Sequence, residues 1–388
     1  MLRTVRVSVA IICFLLISLL FLDFTGTLHV WFGWLAKIQF LPALLALNMG
    51  VILSLVLLTL LFGRIYCSVI CPLGVFQDII AWFGKRGKKL PYTYSRALSW
   101  LRYGILIVFI IAVLAGAGSF VALLAPYSSY GRIISNLFAP LYQLGNNMFA
   151  YLAERAESYA FYEVDVWVKS LSTFIIALIT FGVLVLLAWR NGRTYCNTIC
   201  PVGTFLGIIA KYSLFKPVID VSKCNSCGLC ARHCKAACID SKKHKIDYSR
   251  CVVCLDCLDK CRHGAIKYMR RSAVKDKISS PVVTQDQINS ARRNFLSVSA
   301  LFAATTVIKA QEKKVDGGLA VIEDKKIPNR VVALTPPGSL SVRNFAKHCT
   351  ACQLCVSVCL NQVLRPSGSL MTLMQPEMSY ERGYCRPE

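Results

Sequence analysis

The sequence predicts a membrane-embedded helical domain followed by small α+β modules organised around cysteines. Three observations carry that prediction. Of 388 residues, 55% are hydrophobic and only 16% charged, against roughly 25% charged in soluble domains. Four long uncharged stretches, 7–22, 38–63, 103–131 and 170–189, occupy the first half. Nineteen cysteines gather mostly in C-x2-C and C-x3-C clusters, which reads as metal ligation rather than as a disulfide-stapled secreted scaffold.

Each stretch is justified by length, because a membrane helix needs about 20 apolar residues to cross ~30 Å of hydrocarbon. The first is the shortest, and Val5 with a snorkelling Arg6 extends it. Cys13 lies alone in that stretch and reads as a packing residue. The segment 64–102 carries Arg64, Lys85, Arg86, Lys88, Lys89, Arg96 and Arg102 with only Asp78 opposing them, so it is expected on the cytoplasmic side. The segment 132–169 holds Glu154, Glu157, Glu163 and Asp165 and is expected outside. Arg3 and Arg6 keep the N-terminus inside, and four crossings return the chain to the cytoplasm at Arg190 and Arg193. The net charge of +24 is thereby explained by orientation, and no basic face with stacking aromatics suggests nucleic acid. No C-x-x-C-H occurs and only His29 of five histidines lies near an apolar stretch, which argues against haem. His29, beside Trp31 and Trp34, reads as an interfacial residue able to hydrogen-bond a quinone carbonyl.

The pattern G-R-x-Y-C-x-x-I-C-P-x-G occurs twice, from Gly63 to Gly74 and from Gly192 to Gly203, each time directly after an apolar stretch. Two helix-pair halves are therefore expected to present Cys67 and Cys71, and Cys196 and Cys200, on one side of the membrane. Four such cysteines can ligate a cluster, hold a soft metal such as Cu(I), or cycle between dithiol and disulfide.

From Cys224 the chain reads CNSCGLCARHC, and from Cys251 CVVCLDCLDKC. Both are C-x2-C-x2-C-x3-C, the bacterial [4Fe–4S] spacing in which the fourth cysteine serves the other cluster. Cluster one is expected on Cys224, Cys227, Cys230 and Cys261, and cluster two on Cys251, Cys254, Cys257 and Cys234. Lys235 and Arg262 stand where a proline usually follows the fourth cysteine, which predicts a more positive shell and a raised potential. Cys238 has no slot in this scheme and is expected to pack.

Beyond Tyr268 comes a basic, polar linker. Within it Arg292-Arg293-Asn294-Phe295-Leu296, with an apolar stretch to Ile308, resembles a twin-arginine signal or a fifth anchor. Cys349, Cys352, Cys355 and Cys359 then repeat the ferredoxin spacing without a mate, since only Cys385 follows. The expectation is a partial second ferredoxin module in a record cut short, or a single cluster that Cys359 or Cys385 completes locally. The division is thus 1–212 for the transmembrane domain, 213–270 for the two-cluster module, 271–330 for the linker, and 331–388 for the partial module.

The C-x3-C-P repeats and the following ferredoxin runs resemble the NapH/NosR-type polyferredoxin membrane proteins. With RRNFL and the third run, the whole resembles a fusion of that family with its exported ferredoxin partner NapG. The resemblance implies a multi-pass protein of the bacterial inner membrane whose N-terminus and first ferredoxin module are cytoplasmic and whose last module is periplasmic. It further implies electron transfer from the quinone pool, through [4Fe–4S] clusters, toward periplasmic respiratory reductases. The related cytochrome oxidase assembly factors share the C-x3-C-P and ferredoxin parts and imply the alternative, copper reduction at Cys67, Cys71, Cys196 and Cys200. No residue identifies itself as a catalytic proton acceptor from quinol.

Overall fold

The computed structural model describes residues 2–86, 92–155, 161–270, 315–316, 320–321, 334–369, 372–381 and 384–385. The twin-arginine run and its apolar stretch lie outside the described residues. The chain opens with α1 (Leu2–Leu22), the short helices α2 (Thr27–Phe32), α3 (Trp34–Lys37) and α4 (Phe40–Leu45), and then α5 (Met49–Phe62). The first repeat forms α6 (Tyr66–Val69) and α7 (Pro72–Arg86). Next come α8 (Ser99–Ala115), α9 (Gly118–Leu124), α10 (Pro126–Ile133), a π-helical turn Ile134–Phe138, and α11 (Ala139–Arg155). The long α12 (Leu171–Asn191) leads to the second repeat, α13 (Thr194–Thr198) and α14 (Pro201–Ala210).

Among the described residues two helices, α1 and α12, are long and apolar enough to cross a membrane. The second and third apolar stretches are broken instead, which the composition alone did not reveal. Leu47 adopts φ 51° between α4 and α5, where Asn48 caps α5 by accepting from the Val51 amide. Gly116 ends α8 in the left-handed conformation at φ 73°. Ala125 is extended ahead of Pro126, the conformation a following proline favours.

The two halves interlock. Helix α7 of the first repeat packs along α12 and α1, while α14 of the second packs along α5 and α8. The two-cluster module docks on one set of helix ends. Tyr268 bonds the Phe62 carbonyl at the end of α5, at 3.0 Å. The Lys235 carbonyl accepts from the Arg193 amide just past α12, at 2.9 Å, and Arg102 at the start of α8 donates to Ser249 Oγ. In this module β1 (Phe215–Ile219) pairs antiparallel with β4 (Ile266–Arg270), from Phe215↔Arg270 to Ile219↔Ile266. Between them lie α15 (Leu229–Arg232), the pair β2 (Ile239–Asp240) with β3 (Lys245–Ile246), and α16 (Asp256–Lys260).

The third cysteine run belongs to a module with helices Val342–His348 and Leu354–Val358 and an antiparallel strand pair, Leu364–Pro366 with Pro376–Met378. It docks on the opposite helix ends. Val358 touches Gly26 beyond α1, and Lys347 packs on Gly116 at the end of α8. Lys169, just ahead of α12, donates to the Val356 carbonyl at 3.0 Å.

Candidate iron–sulfur centres and the cysteine repeat

The nine cysteines of the two-cluster module, the eight of its two runs and Cys238, line two cavities of near-equal size. Cys234, Cys251, Cys254 and Cys257 line the first, with Cys238 beside them. Cys224, Cys227, Cys230 and Cys261 line the second. Each cavity thus takes three cysteines from one run and the fourth from the other, the crossed pattern the spacing predicts.

The loops that carry these cysteines are bent in one shared way. Two residues past the first cysteine of each run, φ is positive at Ser226, Val253 and Ala351. Four residues past it, φ is positive again at Gly228, Leu255 and Gln353. Three residues past the fourth cysteine come Ala237, Gly264 and Gln362, also positive. Such conformations cost non-glycine residues about 1–3 kcal/mol each and gather at functional sites, and the turns they make direct backbone N–H groups inward around an anionic group. Only two of the nine positions are glycine, so the sequence hid the signal. The third run has the same loop as the other two, and this is the structural ground for counting Cys349, Cys352 and Cys355 with them. Cys359 follows at the end of the helix Leu354–Val358. Cys385 is exposed, and its neighbour Tyr384 is held by Asn361, two residues past Cys359.

In the first cluster Cys227 is exposed, Cys224 and Cys261 are half-buried and Cys230 is buried, whereas in the second Cys234, Cys254 and Cys257 are buried and Cys251 is half-buried. Val253 in the second loop touches Gly63 at the end of α5. The Lys235 ammonium lies 3.6 Å from Asp78 and 3.2 Å from Asp256, carboxylates that it shares with Arg193, Arg6 and Arg3.

The repeat forms a reciprocal lock. Arg64 crosses to the Cys196 carbonyl at 3.1 Å, and Arg193 crosses back to the Cys67 carbonyl at 2.6 Å. Both arginines are fully buried. Gly74 and Gly203 make the crossing possible. A Cβ there would lie 2.1 Å from the Cys67 carbonyl and 2.4 Å from the Cys196 carbonyl. The motif tyrosines each hold a helix break. Tyr66 donates to Gln39 and accepts from the Phe40 amide at the start of α4, and Tyr195 reaches the Leu124 carbonyl at the end of α9.

The symmetry ends at Asp78. Arg193 grips both of its oxygens, at 2.8 and 2.7 Å, and Arg6 adds a third contact at 2.9 Å. Burial alone would raise this carboxyl, yet Arg193, Lys235 and Arg6 hold it well below the usual carboxylate range. Arg64 has no carboxylate and uses Asn197 and the Ser249 carbonyl. Sequence reasoning did not assign Asp78, although its isolation among seven basic residues was the available signal.

Cys67, Cys71, Cys196 and Cys200 are all buried within this lock. Gln77 donates to the Cys196 sulfur at 3.4 Å, and Cys200 caps α14 by accepting from the Gly203 amide at 3.3 Å. Burial pushes the Cys196 thiol up to about 11 against the pull of Arg193 and Arg64, and raises Cys71 and Cys200 further. Among the described residues no group of three or more His, Cys, Asp or Glu side chains is placed to hold a single metal ion. A cubane cluster spreads its four ligands over four irons, and the crossed cavities of the ferredoxin module fit that demand.

A bridge joins the third run to this lock. Gly131 of α10 packs on the Cys352 carbonyl, and its neighbour Tyr130 stacks edge-on against Phe76 of α7, with ring centres 6.1 Å apart. Arg132, fully buried, donates to the Ala122 carbonyl and to Ser129. Asn136 donates to Gln353 of the third loop at 2.8 Å. Cys13 sits half-buried midway along α1, outside these groups.

The cysteine geometry on a helical scaffold defines an iron–sulfur electron-transfer protein. The family model "4Fe-4S binding domain" matches residues 44–91 and 173–221, the segments that hold the C-x3-C-P repeats. The chain is similar to the ferredoxin-type protein NapH of Haemophilus influenzae, 27% identical over 60% of this chain and 70% of the relative. It is also similar to the putative electron transport protein YccM of Escherichia coli, 24% identical over 57% of this chain and 55% of YccM. A third relative is the regulatory protein NosR of Stutzerimonas stutzeri, 24% identical over 51% of this chain and 23% of NosR. No solved structure matches. In the cysteine repeat and the segment that follows it, the chain is similar to the NapH/NosR-type polyferredoxins.

Proposed function

We propose that this protein takes electrons from quinol and passes them between [4Fe–4S] clusters on its two faces, toward a redox partner on the periplasmic side. The observation that carries the reading is the docking of two cysteine modules on opposite ends of the same helices, with the interlocked repeat between them. In this reading the chain passes the bilayer four times. Besides α1 and α12, α8 supplies 17 residues, within the length range of about 17–25 for a span, and α5 supplies 14, continued past its cap by α4. The basic residues of 64–102 keep the two-cluster module cytoplasmic.

When bound, the clusters supply one-electron storage at potentials that their surroundings set. The chain's own residues do the rest. The strained loops hold the ligand sulfurs, the helical domain keeps water from Cys234, Cys254 and Cys257, and the Asp78 network fixes the module to the repeat. His29 Nδ1 is buried and, among the described residues, has no hydrogen-bond partner, which suits it to a quinone carbonyl near the outer helix ends. The test is anaerobic mixing of cluster-loaded protein with menaquinol in detergent, followed by visible bleaching and low-temperature EPR. Rapid bleaching supports quinol oxidation. No response to quinol, with reoxidation by Cu(II) that depends on Cys67 and Cys196, would replace this reading by copper reduction.

A further inference from the structure

Cluster two's cavity is lined by five cysteines, one more than a cubane uses. The fifth is Cys238, four residues past Cys234 and immediately before β2. It is 1% exposed. Its backbone carbonyl accepts from the Asp247 amide at 2.9 Å, which fixes its place on the wall. Its sulfur lies 3.5 Å from the Cys234 sulfur and within hydrogen-bonding reach of Cys251.

The equivalent positions elsewhere show what plain packing uses. Four residues past Cys261 stands Ala265, which lines the other cavity at 1% exposure. Four past Cys359 stands Val363, also buried. An apolar side chain therefore suffices at this point of the wall, and cluster two alone has sulfur there, against the cross-run ligand.

We propose that Cys238 is a fifth thiol of cluster two, which hydrogen-bonds the Cys234 sulfur in the intact site and replaces Cys234 as iron ligand when that sulfur is lost. The inference rests on the reading of Cys234, Cys251, Cys254 and Cys257 as the ligands of one [4Fe–4S] cluster. In the intact site the S–H group points at a ligand sulfur and stabilises the more negative, reduced state, so it raises the cluster's potential. In the replacement, the Cys238 thiol releases its proton to solvent and its sulfur forms the iron bond that Cys234 leaves open. No electron changes hands.

The experiment uses the full chain, reconstituted anaerobically, in the variants Cys238→Ala, Cys234→Ala, Cys234→Ala with Cys238→Ala, and Cys257→Ala. Iron and acid-labile sulfide per chain are measured, with EPR-monitored redox titration. Cys238→Ala is expected to keep its full iron content while cluster two's midpoint potential moves down. Cys234→Ala is expected to keep its full iron, and the double variant to lose one cluster's worth, about four irons and four sulfides. Loss of the cluster in Cys234→Ala alone overturns the proposal, as does an unchanged potential in Cys238→Ala. Should Cys234→Ala misfold and lose both clusters, the Cys238→Ala titration decides. Cys257→Ala separates the two levels, since full iron retention there would remove the underlying cluster assignment itself.

Discussion

Asp78 is the residue on which the junction between the helical domain and the two-cluster module turns. Its carboxylate meets Arg193, Arg6 and Lys235, and its side chain is only 12% exposed. Removing one member of such a buried network leaves charges uncompensated and costs about 3–5 kcal/mol. Asp78→Asn should therefore lower the thermal unfolding midpoint in detergent clearly, whereas Arg262→Ala, an exposed change in the two-cluster module, should not. The acid response follows from the same groups. Burial would raise Asp78, Asp247 and Asp256, but Arg193 and Lys235, Ser249 and Arg250, and Lys235 and Arg3 respectively bring each below 3.8. Carboxylates depressed on folding contribute stability that is complete above the unfolded value and disappears as pH falls through the folded one. Stability should thus be flat above about pH 5 and drop below about pH 4, with a shallower drop in Asp78→Asn. A midpoint that already falls between pH 8 and pH 6 would contradict this assignment.

At the scale of elements, the crossed cavities make a prediction that chain proximity would not. Cys261→Ala should remove iron from the cluster of the first run, although Cys261 belongs to the second, and Mössbauer and iron analysis should show cluster two intact. The interlocked repeat is equally specific. Gly203→Ala drives a methyl group against the Cys196 carbonyl and the Arg64 guanidinium, an overpacking that costs about 1–3 kcal/mol, read as a lowered unfolding midpoint. The third module is held in part by the bond from Asn136 to Gln353. Asn136→Leu strands the Gln353 side chain, at about 1–3 kcal/mol, and should speed amide hydrogen exchange in the helix Leu354–Val358 while α15 and α16 stay protected. What could be read beforehand at this scale was what repeats. The three cysteine runs and the doubled motif stand in the sequence as spacings, because ligation and close backbone approach each demand fixed residue types. The break after Ala115 had a signal in Gly116 and Gly118 that hydropathy overrode. The break after Leu45 was harder to read, because hydropathy reports what is apolar, not where backbone direction reverses, and Leu47 carries no turn signal.

For the whole molecule, the placement of two modules on opposite helix ends depends on contacts between residues more than a hundred positions apart, such as Arg64 with Asn197 and Asn136 with Gln353. Local patterns are silent on such pairs. Charge distribution was informative all the same, since the basic residues of 64–102 mark the side on which the two-cluster module docks. The bridge from Cys352 through Gly131 and Tyr130 to Phe76 joins the third module to the repeat, and under the proposed function electrons cross between the two modules by way of it. The direct measurement uses proteoliposomes with the two-cluster module facing out, an impermeant one-electron reductant outside, and EPR to follow the third-run cluster, identified by its loss in Cys352→Ser. Reduction of that cluster from the opposite face is the predicted result. Reduction confined to the two clusters of the 224–261 module, with the third-run cluster still oxidised, would contradict the account.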